Sequence, residues 1–313
     1  MKKISVIIPL GENSDFDALD YLEKQKNKID FIIERGPNPS RNRNNASRKA
    51  KTDFVAFING HTLLSDNWAD EVQEFFSKHP KIDIVGGPQL TPENDNWFGK
   101  ISGYALSSIF GAADVSARYI PRKLVLNADE KQITSANLIC RKRVLKKIKF
   151  DENIYPGEDP KFISDAKREG FKVAYSPSII VYNKRRQNVG DFAKQIFNYG
   201  QTRPKKERIT ETLKKPFFLV PSIFVLYLSV FNILFLIHWF FVIPILVYFI
   251  LSLLFSLFES IKNKHPSSFF RLPFLFFVIH FSYGVGFLKG LVFAETTKKI
   301  FDPLEKIKTP DES

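Results

Sequence analysis

The sequence predicts an α/β domain, a mostly parallel sheet with helices on both faces, followed by apolar helices that enter a membrane. Three observations carry this expectation. Short β-branched runs alternate with amphipathic stretches over residues 4–203. No charged side chain occurs among the 43 residues between Lys215 and Glu259. Finally, residues 216–313 hold 19 of the 32 Phe, with eight basic and six acidic groups, so residues 1–215 carry +11 of the net +13.

The run Ile4–Leu10 is apolar almost throughout, as a strand buried on both faces should be. Met1-Lys2-Lys3 before it imitates a signal peptide. The apolar core is short, however, and Gly11-Glu12-Asn13 follows without a small-residue cleavage site, so a first strand is the better reading. Residues 15–28 have helical spacing. A second strand at 31–33 ends at Glu34-Arg35-Gly36-Pro37, and residues 40–51 read as a helix with Ser40 as N-cap. A third strand at 53–58 ends at Asn59-Gly60-His61. Then come a helix at 67–78 and a strand at 82–85 before Gly86-Gly87. In parallel sheets ligands bind at the carboxyl ends of strands, here marked by Glu34, Asn59 and Gly86. The aromatic content of 14% argues against a disordered chain. The single cysteine, Cys140, excludes an intramolecular disulfide and fits a reducing compartment.

The uncharged run is too long for one bilayer crossing, which takes about 20 residues, and suits two. Spans are expected near 217–237 and 240–260, turning at His238-Trp239. The stretch 269–294 is a third span, a re-entrant segment or an interfacial helix. Ten Lys/Arg against three acids in 184–215, and Lys262, Lys264 and Arg271 after the second span, place both ends of the hairpin in the cytosol. The expected organisation is a soluble domain at 1–203, a basic linker at 204–215, a membrane region at 216–296 and a polar tail at 297–313.

No dinucleotide fingerprint, phosphate-binding lysine loop or serine elbow occurs. The informative signal is an ordered set: the strand Ile4–Leu10, Arg43-Asn44, Asp53-Phe-Val-Ala-Phe-Ile-Asn59-Gly60-His61, Gly86-Gly87, Gly157-Glu158-Asp159, Glu169-Gly170 and Tyr175-Ser-Pro177 before Tyr182. This set resembles the family-2 glycosyltransferases of the GT-A fold, over about two thirds of the chain. Within them it is most similar to the membrane-anchored, ExoA-like enzymes of succinoglycan-type exopolysaccharide assembly. His280-Phe-Ser-Tyr-Gly-Val-Gly286-Phe-Leu-Lys-Gly290 is similar to that subgroup's final segment.

The resemblance implies a catalytic site. Asp159 corresponds to the general base, the second member of a Glu-Asp pair at a helix start, with Glu158 tuning it or binding acceptor hydroxyls. A helix N-terminus lowers a carboxylate's pKa and keeps it ionised. The alternative is an ordinary pair of helix-start acids. Asn59-Gly60-His61 falls where the family holds Mn²⁺ or Mg²⁺ and the donor diphosphate. His61 matches the subgroup and Asn59 departs from it, replacing a carboxylate with an uncharged ligand. A polar loop without metal is the alternative there.

Pro9, Glu34, Arg43, Asn59, Gly60 and Gln195 are the implied donor-binding residues. The basic run from Arg41 to Lys51 also reads as a solvated helix face. Gln195 matches the first residue of the Gln-x-x-Arg-Trp of processive members, but Asn198 replaces the Arg. Arg118, Arg122, Arg185 and Arg186 suit either an acceptor diphosphate or anionic lipid headgroups.

The expected function is that of an inverting, multi-pass hexosyltransferase of the inner or plasma membrane with a cytosolic catalytic domain. It would move a sugar from a nucleotide-sugar to a lipid-linked saccharide or polyprenyl carrier in surface polysaccharide assembly. The alternative is a non-catalytic relative that binds nucleotide-sugar or glycan. Nucleic acid is not an expected partner, because the cations flank membrane spans and no nucleic-acid motif occurs.

Overall fold

The computed structural model describes residues 3–14, 16, 19–206 and 216–301. In chain order the elements are β1 (Ile4–Leu10), α1 (Leu19–Glu23), β2 (Ile29–Arg35), α2 (Pro39–Lys49), β3 (Phe54–Phe57), β4 (Thr62–Leu64), α3 (Trp68–Lys78), β5 (Ile84–Gly86) and β6 (Gln89–Leu90). They continue with α4 (Trp97–Ser107), α5 (Ile109–Ala112), a 3-10 turn (Ala113–Arg118), β7 (Leu138–Arg141), α6 (Lys142–Lys147), α7 (Glu158–Arg168), β8 (Val173–Tyr175) and β9 (Val181–Asn183). The last four helices are α8 (Val189–Lys206), α9 (Val220–Ile237), α10 (Ile243–Lys262) and α11 (Leu272–Phe301).

Six strands form the main sheet in the order β2-β1-β3-β7-β5-β8. All pairings are parallel except those of β7, which runs antiparallel to both β3 and β5. Alternation along β1 shows why both faces are covered. Ile4, Val6 and Ile8 join Leu22, Trp68, Val72 and Phe76 on one side, while Ile7 joins Ala46, Phe57, Val144, Phe150, Phe162 and Tyr175 on the other. Each face therefore has its own core. A second sheet, β4-β9-β6, flanks the first.

The expected α/β class is what the chain adopts, with three apolar helices in its C-terminal part. Two local readings change. Helix α2 starts one residue earlier than expected, capped by Asn38, whose side chain accepts the Arg41 N–H at 3.0 Å, and not by Ser40. Pro39 at the first helical position sets that start, because its fixed φ suits the helix and it has no N–H to leave unpaired. Residues 138–141, which form the one antiparallel strand of the mostly parallel main sheet, were not expected as a strand.

The first compact unit comprises residues 1–189 and 247–276, the second residues 190–246 and 277–313. Among the described residues three helical segments are long and apolar enough to cross a membrane: Val220–Ile237, Trp239–Lys262 and Leu272–Val292. The third lies within one unbroken helix, so the expected alternative of a segment that turns back on itself is not formed. Its glycines are contact points within the second unit. A Cβ on Gly286 would lie 2.1 Å from the Phe197 carbonyl oxygen, and one on Gly200 2.2 Å from that of Tyr283. Most of the expected basic linker (207–215) and of the polar tail (302–313) lies outside the described residues.

Close approach of α8 and α11 thus requires residues without side chains. Gly286→Val is expected to destabilise the protein by about 1–3 kcal/mol through overpacking, read as a lowered thermal midpoint in detergent.

Candidate active site

Helix α2 carries an unusual inward face for a polar helix. Asn42 Nδ2 donates to the carbonyls of Leu10 and Gly36, each at 3.0 Å, fixing the ends of β1 and β2. Asn44 binds the Phe150 backbone twice, at 2.9 and 3.0 Å. Asn38 Nδ2 donates to the Glu152 carbonyl, and Arg41 pairs with the Glu152 carboxylate at 2.9 Å. The carboxyl ends of the first strands are thereby tied to the segment that leads into α7.

Between these contacts lies Arg43. Its side chain is 3% exposed, its guanidinium stacks 5.2 Å from the Phe150 ring, and Nη1 donates to Glu158 Oε1 at 2.9 Å. Glu158, also 3% exposed, accepts the Gly157 N–H on its other oxygen at 2.8 Å. Gly157 holds φ +124°, a conformation that side chains disfavour. Asp159, half-buried, accepts the Ser135 N–H at 3.1 Å.

The two acids titrate in opposite directions. Burial pushes the Glu158 carboxyl up, and the neighbouring Asp159 charge adds to it, against the pull of Arg43. Burial also pushes Asp159 up, but the Arg43 guanidinium, the hydrogen bonds from Glu158 and Ser135, and Arg118 outweigh it, so Asp159 lies below the usual carboxylate range. On acidification the pair therefore takes its first proton on Glu158, and Asp159 stays ionised.

Ser135 precedes β7, whose first residue, Leu138, pairs with Phe57 and Gly86 at the carboxyl ends of β3 and β5. Asp159 thus stands at the sheet edge that also carries Pro9 and Glu34, register partners across β1 and β2, and Asn59 beyond β3. Glu34 is ion-paired to Lys49 at 2.6 Å. Gly60 is buried and His61 exposed in the turn closed by the Thr62 N–H on the Asn59 carbonyl.

Arg118 is fixed on the carbonyls of Glu130 and Lys131, with its charge felt at Asp159. Exposed Arg186 acts on Tyr155, which is also within electrostatic reach of both acids. Arg122 donates to Ser116 Oγ, while Arg185 donates to Thr91 and to the Gln89 carbonyl. Gln195 lies on α8 in the second unit, where its Nε2 donates to the Tyr199 hydroxyl at 3.0 Å.

The turn at 59–61 offers an amide oxygen and an imidazole but no carboxylate. Among the described residues no group of three or more His, Cys, Asp or Glu is placed to hold a metal. Mg²⁺ and Mn²⁺ favour carboxylate oxygens. The residues present do not fit a protein-held divalent ion.

Sequence reasoning named both acids and Arg43 but missed their connection, and it missed Ser135, Tyr155 and the asparagines of α2. The alternation of Asn38, Asn42 and Asn44 around Arg43 was the available signal, since polar residues at helical spacing with no acids among them need partners elsewhere.

Comparisons with known proteins concern the family and the fold. A family model described as glycosyltransferase like family 2 matches residues 11–198. A Methanococcus voltae protein, dolichyl N-acetyl-alpha-D-glucosaminyl phosphate 3-beta-D-2,3-diacetamido-2,3-dideoxy-beta-D-glucuronosyltransferase, is 22% identical over 303 residues, 95% of this chain and 86% of that one. The minor teichoic acid biosynthesis protein GgaB of Bacillus subtilis is 24% identical over 155 residues, 49% of this chain and 16% of that one. The mannosyltransferase PcManGT from Pyrobaculum calidifontis, solved with GDP-Man and Mn²⁺, superposes with a TM-score of 0.57 at 9% identity, over 93% of this chain and 87% of that one. That likeness concerns the fold.

Removing the Arg43 charge leaves Glu158 buried without its partner. Arg43→Met is expected to destabilise the protein by about 3–5 kcal/mol near pH 8. The deficit should shrink on acidification, because a protonated Glu158 no longer needs a cation; thermal unfolding across pH measures it.

Proposed function

The chain belongs to the glycosyltransferases of family 2, and from that premise we propose that it moves one sugar from a nucleotide-sugar donor to a lipid-linked saccharide or polyprenyl carrier. The observation that carries the reading is the acid pair at the start of α7, Glu158 bound by Arg43 and Asp159 by the Ser135 N–H, with Asp159 the acid held ionised. In this reading Asp159 takes the proton from the acceptor hydroxyl as its oxygen attacks the anomeric carbon. The bond to the leaving diphosphate breaks on the opposite face, its electron pair staying on the phosphate oxygen, so a single displacement inverts the centre. Glu158 acts as a positioning residue: it anchors Arg43, and Arg43 keeps Asp159 ionised. Pro9, Glu34, Asn59, Gly60 and Gln195 are the proposed donor contacts, with His61 beside the diphosphate.

A lipid-linked acceptor and a role in surface polysaccharide assembly draw support from the Methanococcus relative, named for a dolichyl-linked sugar phosphate, and from the Bacillus relative, named for teichoic acid. The three apolar helices support a multi-pass membrane protein, and their basic flanks support a cytosolic catalytic domain. The ExoA-like subgroup and hexosyl transfer are part of this reading, as is a domain division near residue 203. Asn59 favours a second reading, a non-catalytic relative that binds nucleotide-sugar.

Asp159→Asn is expected to lower transfer of labelled sugar by about 10²–10⁴-fold while nucleotide affinity stays within about threefold. Failure of both proteins to transfer from any UDP-, GDP- or dTDP-sugar supports the binding-only reading. A fully active Asn variant removes Asp159 as base. Because the folded Asp159 carboxyl lies below its ordinary 3.8, activity should hold from neutral pH downward and fall only as pH drops beneath the usual carboxylate range. Donor affinity measured calorimetrically should change less than about threefold when EDTA replaces Mn²⁺, given a turn without carboxylates.

A further inference from the structure

Helices α4 and α5 and the 3-10 turn, Trp97–Arg118, form an excursion from the soluble sheet that neither the acid pair nor the strand edge explains. From Ile101 to Ala113 it carries no charged side chain. Its neighbours within the first unit are residues of the apolar helices. Arg271 lies over the Trp97 ring at 5.3 Å, and Tyr104 faces His265 at 6.0 Å, so α4 runs at the level of the polar loop joining α10 to α11. Beyond the bend at Ser108, Phe110 packs against Phe255 and Phe276, each at 5.1 Å, and Tyr248 at 5.6 Å.

The helix rise converts those contacts into depth. Glu259 is the first charge after the apolar run of α10, and Phe255 and Tyr248 precede it by about 6 Å and about 16 Å of helix. Counted from Arg271 along α11, Phe276 lies about 7 Å inward. Two independent helices therefore put Phe110 well below the level at which charge begins. The buried hydroxyls of Ser102 and Ser107 are satisfied inside α4, on the carbonyls of Gly99 and Tyr104, as hydrocarbon requires, while that of Ser108 at the bend is buried without a hydrogen-bond partner. The chain meets charge again at Asp114, paired with Lys131, and ends at Arg118 beside Asp159.

Resting on the membrane reading above, we propose that residues 108–112 form a re-entrant tip of the catalytic domain inserted among the acyl chains of the bilayer. Ile109, 58% exposed in the protein, is the side chain that meets lipid. The insertion fixes the height of the domain, so that Arg118 and the acid pair stand at headgroup level, where the phosphate of a lipid-linked acceptor lies.

The test uses the full chain in phosphatidylcholine vesicles, with an environment-sensitive fluorophore on single introduced cysteines; Cys140 is buried and unreactive. Ile109→Cys and, as a second site, Ala112→Cys are compared with Leu226→Cys on a candidate span and Lys81→Cys on the soluble surface. Lipid brominated at mid-chain should quench both tip sites at least about half as strongly as position 226, and aqueous iodide should quench only position 81. Tip sites that follow position 81 while 226 responds to brominated lipid overturn the insertion alone. If 226 also ignores the lipid, the membrane reading falls and the insertion with it.

Discussion

One buried ion pair, Arg43 against Glu158, is the interaction on which the site depends. Two charges with almost no solvent contact are costly to bury, and each is tolerated only because the other is there. The pair joins α2, which orders the ends of β1 and β2, to α7, which begins with the two acids. It also separates the acids electrically. Adjacent carboxyls in one environment would titrate together, whereas here Ser135 and the guanidinium favour charge on Asp159 and burial favours a proton on Glu158.

Much of the fold was legible because its signals are local. The apolar run of β1, the helix at residues 68–78 and the long uncharged stretch each follow from periodicity or composition within one window. The acids at a helix start were legible for the same reason. What stayed hidden is what depends on distant partners. Arg43 and Glu158 are 115 residues apart, and a guanidinium in a basic run looks like a solvated one until the helix is turned toward the core. The four-residue strand β7 is apolar up to Arg141, but its direction is set by neighbours that no local pattern reveals. The cap on Asn38 instead of Ser40 came down to one proline.

The sheet and the contact between α8 and α11 use opposite means of close packing. Around the sheet, large side chains such as Trp68, Phe57, Phe150 and Phe162 fill two cores. Between α8 and α11 the contact depends on side chains being absent, with backbone carbonyls lying over glycines. Burial of large apolar side chains shapes the first arrangement, while the second relies on the close approach of two backbones.

The long connection between β6 and β7 is closed at its base. Gln89 Nε2 donates to Thr134 Oγ1, Asn137 holds the Ile179 carbonyl at 2.7 Å, and Trp68 donates to Asn137. The carboxylate of Asp159 hangs from Ser135, at this closed base and outside the interior of the connection. The stretch before Arg118 can therefore lengthen, shorten or change character while the Asp159 carboxylate keeps its place. In evolutionary terms that stretch is an interchangeable cassette, which selection can rework without moving the carboxylate.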